Sequence, residues 1–366
     1  MKYSNHSIRF LRIIAGLTIL FVAFAAVPFS AAAETIPEAD ERGWVDFVLV
    51  CNEGGNNTGS NTGNTMMAVS MSPDTGKIRL LMITWDTFIR YEGYDVLQKI
   101  DMPFRNRGPE ETLKVFNDNF NMDIKLFMSL NYLNLASLIE AYGGVDVEIT
   151  RAERNALNKM VSSKKDAIQA QADMGLLSQF IVESLAGEYE LNEYGPNTHL
   201  NGLQAVGFGW LQYDSVYNCC KREANVIRAL FYSVGKTIGD KVILYTNQYG
   251  KPEDLHNKYA INLDEMTDED REFLRQEMAP MFHAAYHNLS EEDIQNISYA
   301  LARVAYLASR QGVNVFDSLD IKVLPLEAQD PYDYVAGTKG HIIDYEKNEK
   351  AIKDFLFNEE FLTSDE

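Results

Sequence analysis

Short apolar blocks set the rhythm of the first third of the chain. Residues 47–51, 66–71 and 78–83 are apolar and β-prone, and turn-forming stretches separate them. Such punctuation predicts three strands. The stretch 54–64 is nearly all Gly, Asn, Thr and Ser, a composition that predicts a flexible loop. Residues 109–120 and 131–142 change period, with apolar positions at helical spacing, and the second run stops at Gly143-Gly144. A strand over 145–149 follows. Residues 151–198 are helical in composition and carry no chemical signature, so they read as an excursion from the core fold. Residues 201–208 and 224–238 predict two helices flanking a loop at 210–221. Further on, Ser290-Glu291-Glu292-Asp293 opens a helix with a cap-like pattern. Ile294, Ile297, Leu301, Val304 and Leu307 share one face, and Gly312 closes it. Late strands at 321–324 and 341–343 precede a final helix over 346–357. Strands alternating with helices indicate an α/β arrangement.

The N-terminus has a different pattern. Lys2, Arg9 and Arg12 precede an apolar stretch over 13–29 and then Ala31-Ala32-Ala33. This is the layout of an export signal cleaved after Ala33. The apolar run is also near the length needed to span a bilayer, so an uncleaved anchor is the alternative. Both place the folded part outside the cytoplasm. The expected organisation is a signal or anchor at 1–33, a linker at 34–44, one domain over 45–358 and an acidic tail at 359–366.

With 366 residues and 46% hydrophobic content, the chain is long enough to bury a large core. Its formal net charge of −20 argues against nucleic acid as a partner and against unassisted docking onto anionic surfaces. Cys51, Cys219 and Cys220 do not make a disulfide framework. Cys51 ends an apolar run and reads as a buried core residue, and a strained bridge between the two adjacent cysteines is disfavoured. His283 and His287 fall four apart on a predicted helix, but no third ligand accompanies them, so they read as a helix face rather than a zinc site.

Several stretches carry a family resemblance when taken in order. They are 47–50, Asn64-Thr65-Met66-Met67, Ser72-Pro73-Asp74-Thr75-Gly76-Lys77, Thr84-Trp85-Asp86-Thr87 and Lys99-Ile100-Asp101. Gly108-Pro109-Glu110, Gly143-Gly144-Val145-Asp146-Val147-Glu148-Ile149 and the stretch from His199 to Phe208 complete the set. This order resembles the LytR-CpsA-Psr family of bacterial cell-envelope proteins, over nearly all of the chain beyond the signal. The resemblance implies a three-layer α/β/α domain with a mixed central sheet. It implies binding of a polyprenyl-pyrophosphate-linked glycan, whose phosphoglycan is transferred to peptidoglycan. It also implies a position near the membrane, through the lipid ligand or an uncleaved anchor. Phosphoryl transfer of that kind needs cations: a divalent metal held by carboxylates, and arginines in bidentate contact with phosphate oxygens.

The sequence departs from that pattern where the chemistry sits. Asn64 stands where the family has a carboxylate metal ligand, so a Mg²⁺ ion shared by Asp86 and Asn64 would be held weakly. Trp85 replaces an arginine beside the retained Asp86. Phe208-Gly209-Trp210-Leu211-Gln212 replaces a Tyr-x-Arg-x-Arg strand, so Trp210 and Gln212 stand at the arginine positions. Cys219 stands near another, and Arg222 remains. Lys99 is kept. A charge-assisted phosphate contact is worth about 1.5–3 kcal/mol. Losing arginines at 85, 210 and 212 would therefore remove about 4–9 kcal/mol if the contacts were additive. Arg105 and Arg107 compensate only if they turn inward.

The resemblance thus implies Asp86 and Arg222 as catalytic residues, with Lys99, Arg105, Arg107, Trp85, Trp210 and Gln212 around the substrate. Trp85 and Trp210 are expected near one another over one pocket, where flat rings stack on sugar or close a lipid cleft. Three functions stay open. One is an envelope protein that binds polyprenyl-linked or wall glycan with weak or lost transferase activity. The second is a working glycopolymer transferase, and the third a secreted binding protein with an unrelated ligand.

Overall fold

The computed structural model describes residues 43–52, 63–174, 190–251, 258–308, 318–325 and 332–357. The signal or anchor, most of the 54–64 loop, the second part of the excursion, Gly312 and the acidic tail lie outside the described residues. Among the described residues no helix is long and apolar enough to cross a membrane.

The three expected strands form, as β1 (Val45–Asn52), β2 (Gly63–Met71) and β3 (Ile78–Ile83). They make an antiparallel meander, with Val48 opposite Ala68 and Ala68 opposite Leu81. The rest of the chain extends the sheet on both sides. β6 (Leu126–Asn131) lies parallel to β1, β11 (Tyr286–His287) closes that edge, and β12 (Leu319–Leu324) lies parallel to β3. The central sheet is therefore mixed, in the order β11-β6-β1-β2-β3-β12.

Both faces are covered, which explains why these strands read as continuous apolar runs rather than as alternating ones. Phe47, Leu49, Val69, Leu80 and Met82 belong to one buried cluster, together with residues of α3 (Tyr132–Ala141), α6 (Val216–Lys241) and α8 (Glu291–Ala308). Their neighbours Val48, Val50, Ala68, Leu81 and Ile83 belong to a second cluster. That cluster includes Phe104 of α1 (Met102–Arg107), Phe116 and Phe120 of α2 (Pro109–Phe120), and Leu356 of α9 (Tyr345–Phe357). The period-2 switch between faces builds the expected three layers.

Three smaller ladders accompany the central sheet, the first pairing β9 (Val242–Tyr245) in parallel with β10 (Tyr259–Asn262). β4 (Thr87–Ile89), β5 (Gln98–Lys99), β13 (Tyr332–Val335) and β14 (Thr338–Ile342) form a four-stranded sheet. β7 (Val145–Ile149) pairs with β8 (Gly195–Leu200), Val145 opposite Leu200 and Asp146 opposite His199. Residues 195–198, expected to close the helical excursion, are thus strand instead. Only α4 (Arg151–Asp173) is helical among the described residues of that excursion.

Tight backbone contacts hold this region. Gly144 has φ +83°, and a Cβ there would lie 2.5 Å from the Leu200 carbonyl oxygen. A Cβ on Gly202, at the start of α5 (Gly202–Gly209), would lie 1.9 Å from the Ala136 carbonyl oxygen. Asn201 caps α5 in a full capping box with Gln204.

The expected 210–221 loop is shorter in the structure. α6 starts at Val216, where the Ser215 hydroxyl accepts from the Asn218 N–H at 3.1 Å. The two histidines do not share a helix either. α7 (Asp268–Ala284) carries His283 and ends at an extended Ala285, so His287 falls in β11.

Candidate functional site

β1, β3, β6 and β12 run in one direction, so their C-terminal ends share one edge of the sheet. Open α/β sheets bind ligands outside such ends. At this edge the chain leaves β3 in a tight turn. The Thr87 N–H donates to the Thr84 carbonyl at 3.0 Å, and the two hydroxyls are 2.8 Å apart. The turn presents Trp85 to a cleft of about 580 Å³.

Four of the residues singled out from the sequence line that cleft: Trp85, Lys99, Arg105 and Gln212. β5 sets Lys99 opposite Phe88 of β4. The Lys99 ammonium lies 5.1 Å from the centroid of the Trp85 ring, within cation–π range. It has no ion pair among the described residues. Arg105 donates to Asp101 at 2.7 Å, one helical turn back. Burial raises the Asp101 carboxyl above the ordinary range, although Arg105 and Lys99 pull it down. Val335 and Thr338, from the β13–β14 hairpin, complete a wall that no sequence motif pointed to.

The other expected residues lie elsewhere. Arg107 is 71% exposed, sits 3.7 Å from Glu111 and does not line the cleft. Trp210 is buried and packs on Tyr132 with ring centroids 5.0 Å apart, so it belongs to the core instead of sharing a wall with Trp85. Arg222 is only 6% exposed, and its guanidinium is already engaged. It grips Asp214 with both terminal nitrogens, at 2.9 and 2.7 Å, and also donates to the Leu211 carbonyl. The hydrogen bonds from Arg222 hold the Asp214 carboxyl below its usual range.

The sequence profile of the LytR_cpsA_psr family matches residues 39–235, more than half of the chain. The chain belongs to the LytR-CpsA-Psr family. Membership ties it to the cell envelope and its glycopolymers. No curated protein matches the sequence. Solved structures do match the fold. Bacillus subtilis TagV is 13% identical with a TM-score of 0.54, over 87% of this chain and 98% of that one. Protein gbs0355 from Streptococcus agalactiae is 16% identical with a TM-score of 0.53, over 86% and 88%. TagT bound to LI-WTA is 12% identical with a TM-score of 0.53, over 89% and 94%.

Within this LytR-CpsA-Psr fold, Asp86 follows Trp85 in the turn after β3 and does not itself line the cleft. It is 1% exposed, and neither carboxylate oxygen has a hydrogen-bond partner among the described residues. An unpaired buried carboxylate is costly unless a cation accompanies it. The Asn64 side chain lies outside the described residues, and no cluster of three metal-ligating side chains occurs among those described.

Glu223, next to Arg222, gave no signal in the sequence. It is 4% exposed with Oε2 unpartnered, and burial pushes its carboxyl well above the normal value. Cys51, Cys219 and Cys220 are all buried free thiols, so the adjacent pair forms no bridge. Burial drives the Cys220 thiol upward, which leaves it unreactive.

Proposed function

We propose that this chain is an exported envelope protein that binds a polyprenyl-phosphate-linked glycopolymer, or wall glycan itself, with little or no phosphotransferase activity. One observation carries the reading. Among the described residues the cleft is lined by two cations, Lys99 and Arg105, and Arg105 is shared with Asp101, while Arg222 is closed on Asp214 outside the cleft lining. A pyrophosphate group needs several charge-assisted contacts, and one ammonium supplies one. The cleft of about 580 Å³ thus offers a ring, an amide, an ammonium and the Arg105–Asp101 pair, a set suited to holding sugar hydroxyls. TagT, of the same fold, is bound to LI-WTA, which supports a glycopolymer ligand here.

A second reading, a working transferase, is favoured by the unpaired carboxylate of Asp86, which offers a cation a seat. One experiment separates the two. Binding and turnover of a polyprenyl pyrophosphate by residues 34–366 are measured with and without Mg²⁺, for the natural sequence and for Asp86→Ala. Binding without turnover, indifferent to Asp86, supports the binding role. Metal-dependent phosphate release that disappears in Asp86→Ala supports the transferase. No binding of that lipid, nor of isolated wall glycan in a parallel titration, overturns both.

A further inference from the structure

The charges that line the cleft do not cancel. Among the described residues Lys99 and Arg105 are the cations of its wall, and Asp101 is its carboxylate. Arg105 is already shared with Asp101, at 2.7 Å. Lys99 makes no ion pair among the described residues, and its ammonium rests over the Trp85 ring, 5.1 Å from the centroid. The wall therefore carries a surplus of one positive charge, in a chain whose formal net charge is −20. That surplus is local, and it suits the cleft to a single anion.

The platform beneath the ammonium is apolar. The Trp85 indole nitrogen is buried, so the ring shows carbon to the cleft. A pyranose packs its C–H face on such a surface. To do so it must push Lys99 off the ring and end the cation–π contact. A neutral sugar returns nothing for that loss. A sugar with a carboxylate at its rim takes up the displaced ammonium in a charge-assisted hydrogen bond, a stronger contact than the one given up. A second negative charge would find Arg105 already held by Asp101, and would face that carboxylate as well.

We propose that Lys99 and Trp85 together select an acidic sugar, a pyranose bearing one carboxylate, as the glycan unit held in this cleft. The inference rests on the reading of the cleft as a glycan site and narrows it to uronate-type sugars. Trp85 is the platform and Lys99 the specificity residue. The anion is that of a sugar acid and not of a phosphate ester.

The test is a fluorescence titration of the full-length protein with methyl glucoside, methyl glucuronide and methyl glucoside 6-phosphate, which differ only at C6. Trp44 and Trp210 do not line the cleft, so Trp85 reports its occupancy, and Trp85→Phe should lose the response. The glucuronide should bind about 10-fold tighter than the glucoside, one charge-assisted contact less the cation–π contact given up. It should also bind tighter than the 6-phosphate. Added salt should narrow the gap to the glucoside. Lys99 is half-buried on an edge strand, so substitutions there leave the fold intact. In Lys99→Gln the glucuronide should fall to the level of the glucoside, while Lys99→Arg should keep the preference. Asp101→Asn should strengthen binding of the 6-phosphate more than that of the glucuronide.

Equal affinity for glucoside and glucuronide overturns the proposal and leaves the cleft an unselective glycan site. A preference that survives in Lys99→Gln overturns it too, as does a natural protein that binds the 6-phosphate best. If none of the three binds while wall glycan does, the proposal alone falls. If wall glycan and the polyprenyl lipid also fail to bind, the glycan reading falls with it.

Discussion

At the scale of single residues, two carboxyls near one another in sequence respond to pH in opposite directions. Arg222 lowers the folded-state pKa of Asp214. The stability it provides is complete above the ordinary aspartate range and is lost as pH falls through the depressed value. Thermal melts between pH 6 and pH 3 should therefore show a steeper acid loss for the natural protein than for Asp214→Asn. Glu223 is the reverse. Burial raises its folded-state value, so stability is complete below the ordinary glutamate value and declines as pH rises toward the raised one. Glu223→Gln should melt near the natural protein at pH 4 and above it at pH 8. An equal melting temperature at pH 8 would mean that the carboxyl finds a partner in solution.

At the scale of elements, packing decides the size of each effect. Phe116 is 1% exposed beneath the sheet, and Phe116→Ala should destabilise the fold by about 3–5 kcal/mol in denaturant unfolding. Gly144→Ala should cost more than about 1 kcal/mol, because the left-handed backbone and the Leu200 carbonyl both oppose a methyl group. The elements legible in the sequence were those with a clear period and a clear stop. β1 to β3, α2 and β7 fall into that class. β6 was missed because Leu126–Asn131 runs straight into α3 without a turn residue, Asn131 serving both as strand end and as helix cap. β8 was masked by the helical composition around it, and its partner β7 lies on the far side of α4. α6 starts earlier than its apolar period suggests, because Tyr217, Asn218 and the cysteines are weak helix formers, whereas the Ser215 cap fixes its entry. Trp85, Lys99, Arg105 and Gln212 were named from sequence and meet at one cleft. The hold of Asp214 on Arg222 was not legible, since an ion pair depends on how a loop folds back over a helix, and spacing carries no trace of it.

At the scale of the whole molecule, the family profile ends at residue 235 but the sheet does not. Ile78 pairs with Leu319 and Ile83 with Leu324, and Arg79, 2% exposed, donates to the Leu356 carbonyl at 3.0 Å. The N-terminal meander is thus incomplete until the last fifth of the chain arrives. A fragment ending at 235 would leave β3 with an apolar, unpaired edge, the usual template for association between chains. Expressed alone, that fragment should form aggregates in size-exclusion chromatography and unfold without a cooperative transition, while the full chain melts as one unit. The same distance has a kinetic side. Strands so far apart must find each other after most of the loop entropy has been lost, so the closing of β12 onto β3 should be the slow step of folding. Until then the chain carries an open strand edge, and its exposure to misassembly is set by how quickly its own C-terminal part reaches that edge.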